Sequence, residues 1–306
     1  MTVVGAVLPV FAIILVGFAF ARLRGLGEDA VAILNAYVVW VALPALLFDF
    51  VAQADRDTLA QPGFILVFGA AMLAVFAVAL IANRHRPLAR RSLDALSASY
   101  ANTAYLGIPL AGALLGPVGT AAAVIASLMT VCALFALSVT LVEIDLAPGG
   151  KPLHRIGRIA TAVVRNPLVA APLAGLAWAA TGLAIPAPAA SVLALLSATA
   201  SPVALVTIGV FLAQPRPAGN ARELGATVML KLIAQPLLTF AMLLAVPLAR
   251  PWAAAALLLA ALPTGTGPFM VAQLYQQDVT LTARTILVST ILSVLTVTAL
   301  AWVLVG

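Results

Sequence analysis

The chain has 306 residues, of which 64% are apolar and 8% charged, with a formal net charge of +6 and a single cysteine. The apolar residues fall in runs of about twenty, the length of a membrane-crossing helix, and lack the alternation of a membrane β-barrel. These features exclude a water-soluble domain between the runs, an intrachain disulfide through Cys132, and nucleic acid as a partner, because the basic residues sit at run ends where anionic headgroups lie.

In chain order the runs predict ten spans, near 3–21, 31–52, 63–82, 92–114, 118–142, 166–182, 189–213, 224–248, 252–276 and 281–304. The first lacks a basic leader and is long enough to cross, so it reads as a helix and not as a signal peptide. The longest connection, Glu143 to Arg165, contains "APGGKP" and four basic residues, which suits a linker at the midpoint. The expected organisation is a first five-helix unit over 1–143, a linker over 144–165 and a second five-helix unit over 166–306. Loops opposite the termini hold thirteen of the sixteen basic residues, from Arg22 and Arg24 to Arg284, whereas Arg56 and Arg250 lie on the termini's side and Lys231 falls within a span. This asymmetry predicts both termini outside the cytoplasm and the linker within it.

Five spans in each half would place the halves in opposite orientations, the inverted repeat of many secondary transporters. Pro9 and Pro167, Gly17 and Gly175, and Pro44 and Pro202 are each 158 apart, and Pro109 and Pro268 are 159 apart. The last pair marks a break in spans 4 and 9, "NTAYLGIPL" and "LPTGTGPF". Proline removes a backbone donor, glycine permits unusual dihedrals, and broken backbone at that depth is tolerated only where protein or a cavity surrounds it. If each proline begins a second half-helix, two positive helix ends meet at mid-membrane, a setting for an anion such as a carboxylate.

"NTAYLGIPL", "LPTGTGPFMVAQLY" and "ILVSTILSVLT", with "LNAYVVWVALPALLF" and "LKLIAQPLL", resemble the auxin efflux carrier family, most closely its bacterial malonate-permease-like branch. The resemblance spans essentially the whole chain. It implies an all-α fold of ten transmembrane helices as two inverted five-helix repeats, with broken crossing helices 4 and 9, similar to bile-acid symporters and sodium/proton antiporters. It also implies a scaffold of spans 1, 2, 6 and 7 that forms homodimers, an elevator motion of the remainder, and a bacterial inner-membrane location. Family members often carry asparagine before the span 9 half-helix, where this chain has Gly267 and offers bare backbone and the hydroxyls of Thr264 and Thr266; "TGTGPF" looks most like the malonate-permease-like branch, a likeness that favours a small charged carboxylate over an indole acid.

The candidate substrate-binding residues are Asn102, Thr103, Tyr105, Gly107 and Pro109 at the first break and Thr264, Gly265, Thr266, Gly267 and Pro268 at the second. Asn102 is the leading side chain, since an amide meets both carboxylates and cations, and Tyr105 lies on roughly the same face. Lys231 in span 8 either balances a substrate carboxylate, changes protonation, or snorkels to the interface, and Gln235 shares its face. Asp49, Asp94, Glu143 and Asp278 stand near span ends, where solvation is expected, and no span carries a central acid. A proton or sodium ion is the candidate coupling partner, the latter through Asn102 and Gln273. His85 and His154 have no partner at ligand spacing, so neither a metal nor a cofactor is expected. An intramembrane enzyme lacks its nucleophile and base or paired acidic motif here. A channel, an aromatic-carboxylate efflux carrier and a sodium-coupled symporter are the alternatives to a small-anion transporter.

Overall fold

A computed structural model describes residues 3–53, 60–146, 167–215 and 218–305, so most of the midpoint linker lies outside the described residues, as do Arg56 and Arg216. The described residues form eleven helical elements: α1 (Val3–Arg24), α2 (Glu28–Gln53), α3 (Pro62–Ala82), α4 (Leu88–Ser99), α5 (Thr103–Leu146), α6 (Pro167–Thr181), α7 (Ala187–Leu212), α8 (Ala221–Ala245), α9 (Arg250–Ala260), α10 (Gly267–Leu274) and α11 (Thr280–Val305). Six of these, α2, α3, α5, α7, α8 and α11, are long and apolar enough to cross a bilayer. The molecule is therefore a multi-pass helical membrane protein.

Helix α5 is two limbs and not one rod. Gly116 turns the chain at φ +63°, a conformation that side chains resist, and Pro117 opens the second limb where its missing N–H costs nothing. The turn falls where the sequence separates spans 4 and 5. Single π turns interrupt α2 at Val38–Ala42, α5 at Thr103–Gly107 and Thr130–Phe135, and α8 at Leu230–Ala234.

The helices sort into two packed groups. In one, α1 lies along α7, the second half of α2 lies along α6, and α7 also packs on α2. Without a hydrophobic drive between helices in lipid, such contacts rely on small residues and close backbones. A Cβ on Gly17 of α1 would stand 2.4 Å from the Val206 carbonyl oxygen of α7, and one on Gly175 of α6 would stand 2.8 Å from the Phe48 carbonyl oxygen of α2. Gly175 follows Gly17 by the same interval of 158 that separates Val206 from Phe48. In the other group α3 packs on α4, α4 on the second limb of α5, the first limb of α5 on α9, and α8 on α3, α9 and α11.

An ion network ties that second group together at its basic end. Arg86 reaches Asp94 at 2.8 Å and Glu223 at 2.6 Å, while Arg90 reaches Asp94 at 3.3 Å and Asp278 at 2.7 Å. Asp94 is thus buried and paired, where its place near a span end suggested solvation. Hydrogen bonds from Thr280, then from Arg90, hold the exposed Asp278 carboxyl down at about 2, so it stays charged, and available to Arg90, at neutral pH. Stability from this carboxylate is present above the ordinary aspartate range and lost as pH falls toward 2.

Replacing Asp94 with Ala should destabilise the protein by about 2 kcal/mol, the scale of a hydrogen bond to a charged group, read as a lower unfolding midpoint in detergent. Glu223→Gln should cost less, because the Glu223 side chain is 31% exposed and its ion pair is screened by water.

Candidate functional site

Two chain breaks meet at the centre of the second group. Between α4 and α5, and between α9 and α10, the backbone leaves the helix and Ala101 pairs with Thr264 in an antiparallel bridge. The Asn102 amide donates to the Pro263 carbonyl at 2.8 Å, and the Gly265 amide donates to the Tyr100 carbonyl at 3.0 Å. Remaining groups are met locally: the Thr264 amide donates to Ser289 Oγ at 3.1 Å, and the Thr264 hydroxyl donates to the Ser97 carbonyl at 2.8 Å. Each break therefore supplies much of what the other lacks in a medium without water.

The chain enters each break as the C-terminal end of a helix, Ser99 or Ala260, and leaves it as an N-terminal end, Thr103 or Gly267. Two partially positive ends, with first-turn amides that have no acceptor within their own helices, thus begin beside the bridge. The second follows the sequence reading, since Pro268 is the second residue of α10. The first departs from it: the half-helix starts at Thr103, after Asn102, and Pro109 lies six residues further in. A π turn absorbs the difference, with the Gly107 amide donating to the Asn102 carbonyl at 2.9 Å.

Two cavities flank this bridge. One is lined by Glu28, Asn35, Thr207, Gln214, Thr266 and Gln273 among others, and reaches from the break toward the α1–α2 connection. The second holds Tyr100, Asn102, Thr103, Tyr105, Thr266 and Gly267. Thr266 and Met270 line both. Between them the Tyr105 hydroxyl donates to Asn35 Oδ1 at 2.7 Å, and Asn35 Nδ2 lies 3.9 Å from Met270 Sδ. Asn35 therefore links α2 to both half-helices.

Asn102 is 4% exposed, its side chain lines the second cavity, and among the described residues that side chain has no hydrogen-bond partner. Set at a cavity wall, that side-chain amide keeps donors and an acceptor available to a polar group within the cavity. Thr103 stands beside it, buried, in the same cavity. Gln273 is in the other cavity, so the pair suggested for sodium is divided between two spaces.

Other candidates serve the frame. Gly107 lets the half-helix approach Leu259 and Leu262, where a Cβ would stand 3.0 Å from each side chain. Thr264 is the bridge residue itself, Gly265 and Pro268 shape the second break, and Pro109 lies outside both cavities. Lys231 is fully buried in the π turn of α8, and its ammonium donates to the Ala260 carbonyl at 2.7 Å. It neither snorkels nor enters the two cavities; it caps the negative end of α9 at the break. Gln235, one turn on, is fully buried, its side-chain amide has no partner among the described residues, and it also lies outside both cavities. Asn35 and Tyr100 were not singled out from sequence, although an amide inside an apolar run is a functional signal in a membrane span.

Comparison with known proteins gives a coherent result. A family model described as "Membrane transport protein" matches residues 2–153 and 153–301. A protein of Rhizobium meliloti (strain 1021), whose name proposes it as a malonate transporter, is 31% identical over 310 residues, covering 99% of this chain and 96% of that protein.

If Lys231 acts by capping α9, Lys231→Met should lower the unfolding midpoint by the equivalent of about 1–3 kcal/mol, the cost of an unpaired buried carbonyl. Ligand affinity per folded molecule should stay unchanged. A large loss of affinity with an unchanged midpoint would instead place the ammonium at the ligand.

Proposed function

Because the chain belongs to the membrane transport protein family that contains the auxin efflux carriers, we propose that it is a secondary active transporter of small carboxylates, malonate-like mono- and dicarboxylates among them. The observation that carries this reading is the side-chain amide of Asn102, buried and without a hydrogen-bond partner among the described residues, in a cavity where two half-helix N-termini begin. Backbone amides, a side-chain amide and threonine hydroxyls are donors, and a carboxylate is the acceptor they suit. The malonate proposed for the R. meliloti relative agrees with that chemistry.

In this reading the polypeptide is ten spans in two inverted five-helix repeats, α4 with the first limb of α5 forming span 4 and α9 with α10 forming span 9. The reciprocal contacts of Gly17 with Val206 and Gly175 with Phe48 support it, since a two-fold relation between halves exchanges those pairs. The group α1, α2, α6 and α7 is the static scaffold and dimer former. The second group, bound together by the bridge and the ion network, moves against it as an elevator. Asn35 and Tyr105 form a contact that this motion breaks and remakes. The protein resides in a bacterial inner membrane with the basic ends of the helices in the cytoplasm.

Reconstituted protein should show saturable malonate uptake and counterflow in proteoliposomes, and imposed proton and sodium gradients identify the coupling ion. Asn102→Ala should lower malonate uptake at least about tenfold, the weight of a lost hydrogen bond to a charged ligand, with an unchanged unfolding midpoint because the wild-type side chain has no hydrogen-bond partner among the described residues. Absence of saturable flux for malonate, related carboxylates and indole-3-acetate alike would refute carboxylate transport.

A further inference from the structure

We propose that Tyr100 is a specificity-determining residue of the second cavity, that Gly265 and Gly267 seat its ring, and that this assembly selects small, non-aromatic carboxylates. The inference rests on the reading of the breaks as the carboxylate site. Tyr100 is the residue at which α4 ends, and its carbonyl is held by the Gly265 amide at 3.0 Å. Its ring lies over the turn of the second break. A Cβ at 265 would meet ring carbons Cδ1 and Cε1 at 3.1 Å, and a Cβ at 267 would meet Cζ at 2.4 Å and the hydroxyl oxygen at 2.8 Å. Only hydrogen at position 267 leaves the ring where it is.

The Tyr100 hydroxyl has no hydrogen-bond partner among the described residues, and the residue lines the same cavity as the unpartnered Asn102. Tyr100 is partly buried, and a hydroxyl and a side-chain amide that both line one cavity can donate to a shared acceptor there. An ionised carboxylate offers two oxygens and accepts from both. The ring also takes up space beside the helix ends that an aromatic acid would need for its own ring. Position 267 and position 100 are thus one device: the second break carries no side chain where the ring of the first lies over it, with a hydroxyl at the ring's tip.

Three single variants and a double variant test this in proteoliposomes and by thermal unfolding. Tyr100→Phe keeps the ring and removes the hydroxyl; it should raise the malonate KM about tenfold without moving the unfolding midpoint. Gly267→Ala pushes the ring into the cavity and should abolish uptake, whereas Tyr100→Ala with Gly267→Ala should lose little more than Tyr100→Ala alone. Tyr100→Ala should also let phenylacetate or indole-3-acetate compete with malonate, which the wild type resists. An unchanged KM in Tyr100→Phe overturns the hydroxyl's role, and independent, additive effects at 100 and 267 overturn the seating. A wild type without carboxylate flux refutes the underlying substrate reading instead, and coupling of the two sites in thermal unfolding then still decides whether the glycines seat the ring.

Discussion

A backbone that leaves the helix inside a bilayer must find its hydrogen bonds within the protein, since the surroundings offer none. In this chain two such departures answer each other across Ala101 and Thr264, with Ser97 and Ser289 completing what the pair cannot supply. The rest of the architecture follows from that joint. Gly107 brings α5 against α9, Lys231 covers the carbonyl that α9 leaves at Ala260, and the buried Ser97 hydroxyl of α4 pairs with that of Thr282 in α11. The Thr103 amide closes locally on the Ala101 carbonyl at 2.8 Å, so the joint also settles the first amide of the half-helix that follows it. The proposed carboxylate site would thus share its residues with the structural joint.

Polarity is distributed with the same economy. Burying Asp94 against two guanidinium groups costs desolvation that the paired geometry offsets, and it fixes the relative positions of α4, α8 and the segment before α11. The network sits at one end of the helix group and the bridge lies deeper within it, so the group is braced at two heights. By contrast, near the cavities Asn35 reaches across from α2 to Tyr105 and, more weakly, to Met270. In the proposed elevator that side chain is one point at which the moving body touches the scaffold.

Helices long enough to cross were legible because a bilayer imposes a length on every apolar run, six of them among the described residues, and the gap read between 114 and 118 falls at the Gly116 turn. The two breaks were legible as breaks for the same reason, glycine and proline in the middle of an apolar run. Their exact joint was not. Proline marked the second start closely but the first only six residues late, because a π turn can carry a helix past its expected punctuation. Lys231 was conspicuous, yet its partner is a backbone carbonyl on Ala260, and the sequence has no letter for a carbonyl. Tyr100 escaped notice because its importance lies in what Gly265 and Gly267 lack. Asn35 could have been found, as an amide in an otherwise apolar stretch.

The bridge also bears on whether either half could stand alone. A polypeptide ending at the midpoint would insert with Tyr100 and Asn102 presenting an unmatched carbonyl and amide to the interior, and one beginning there would do the same with Pro263 and Gly265. Neither half is a finished membrane protein. Each half closes the other's backbone, so only a chain that carries both breaks satisfies the bonds that cross at Ala101 and Thr264.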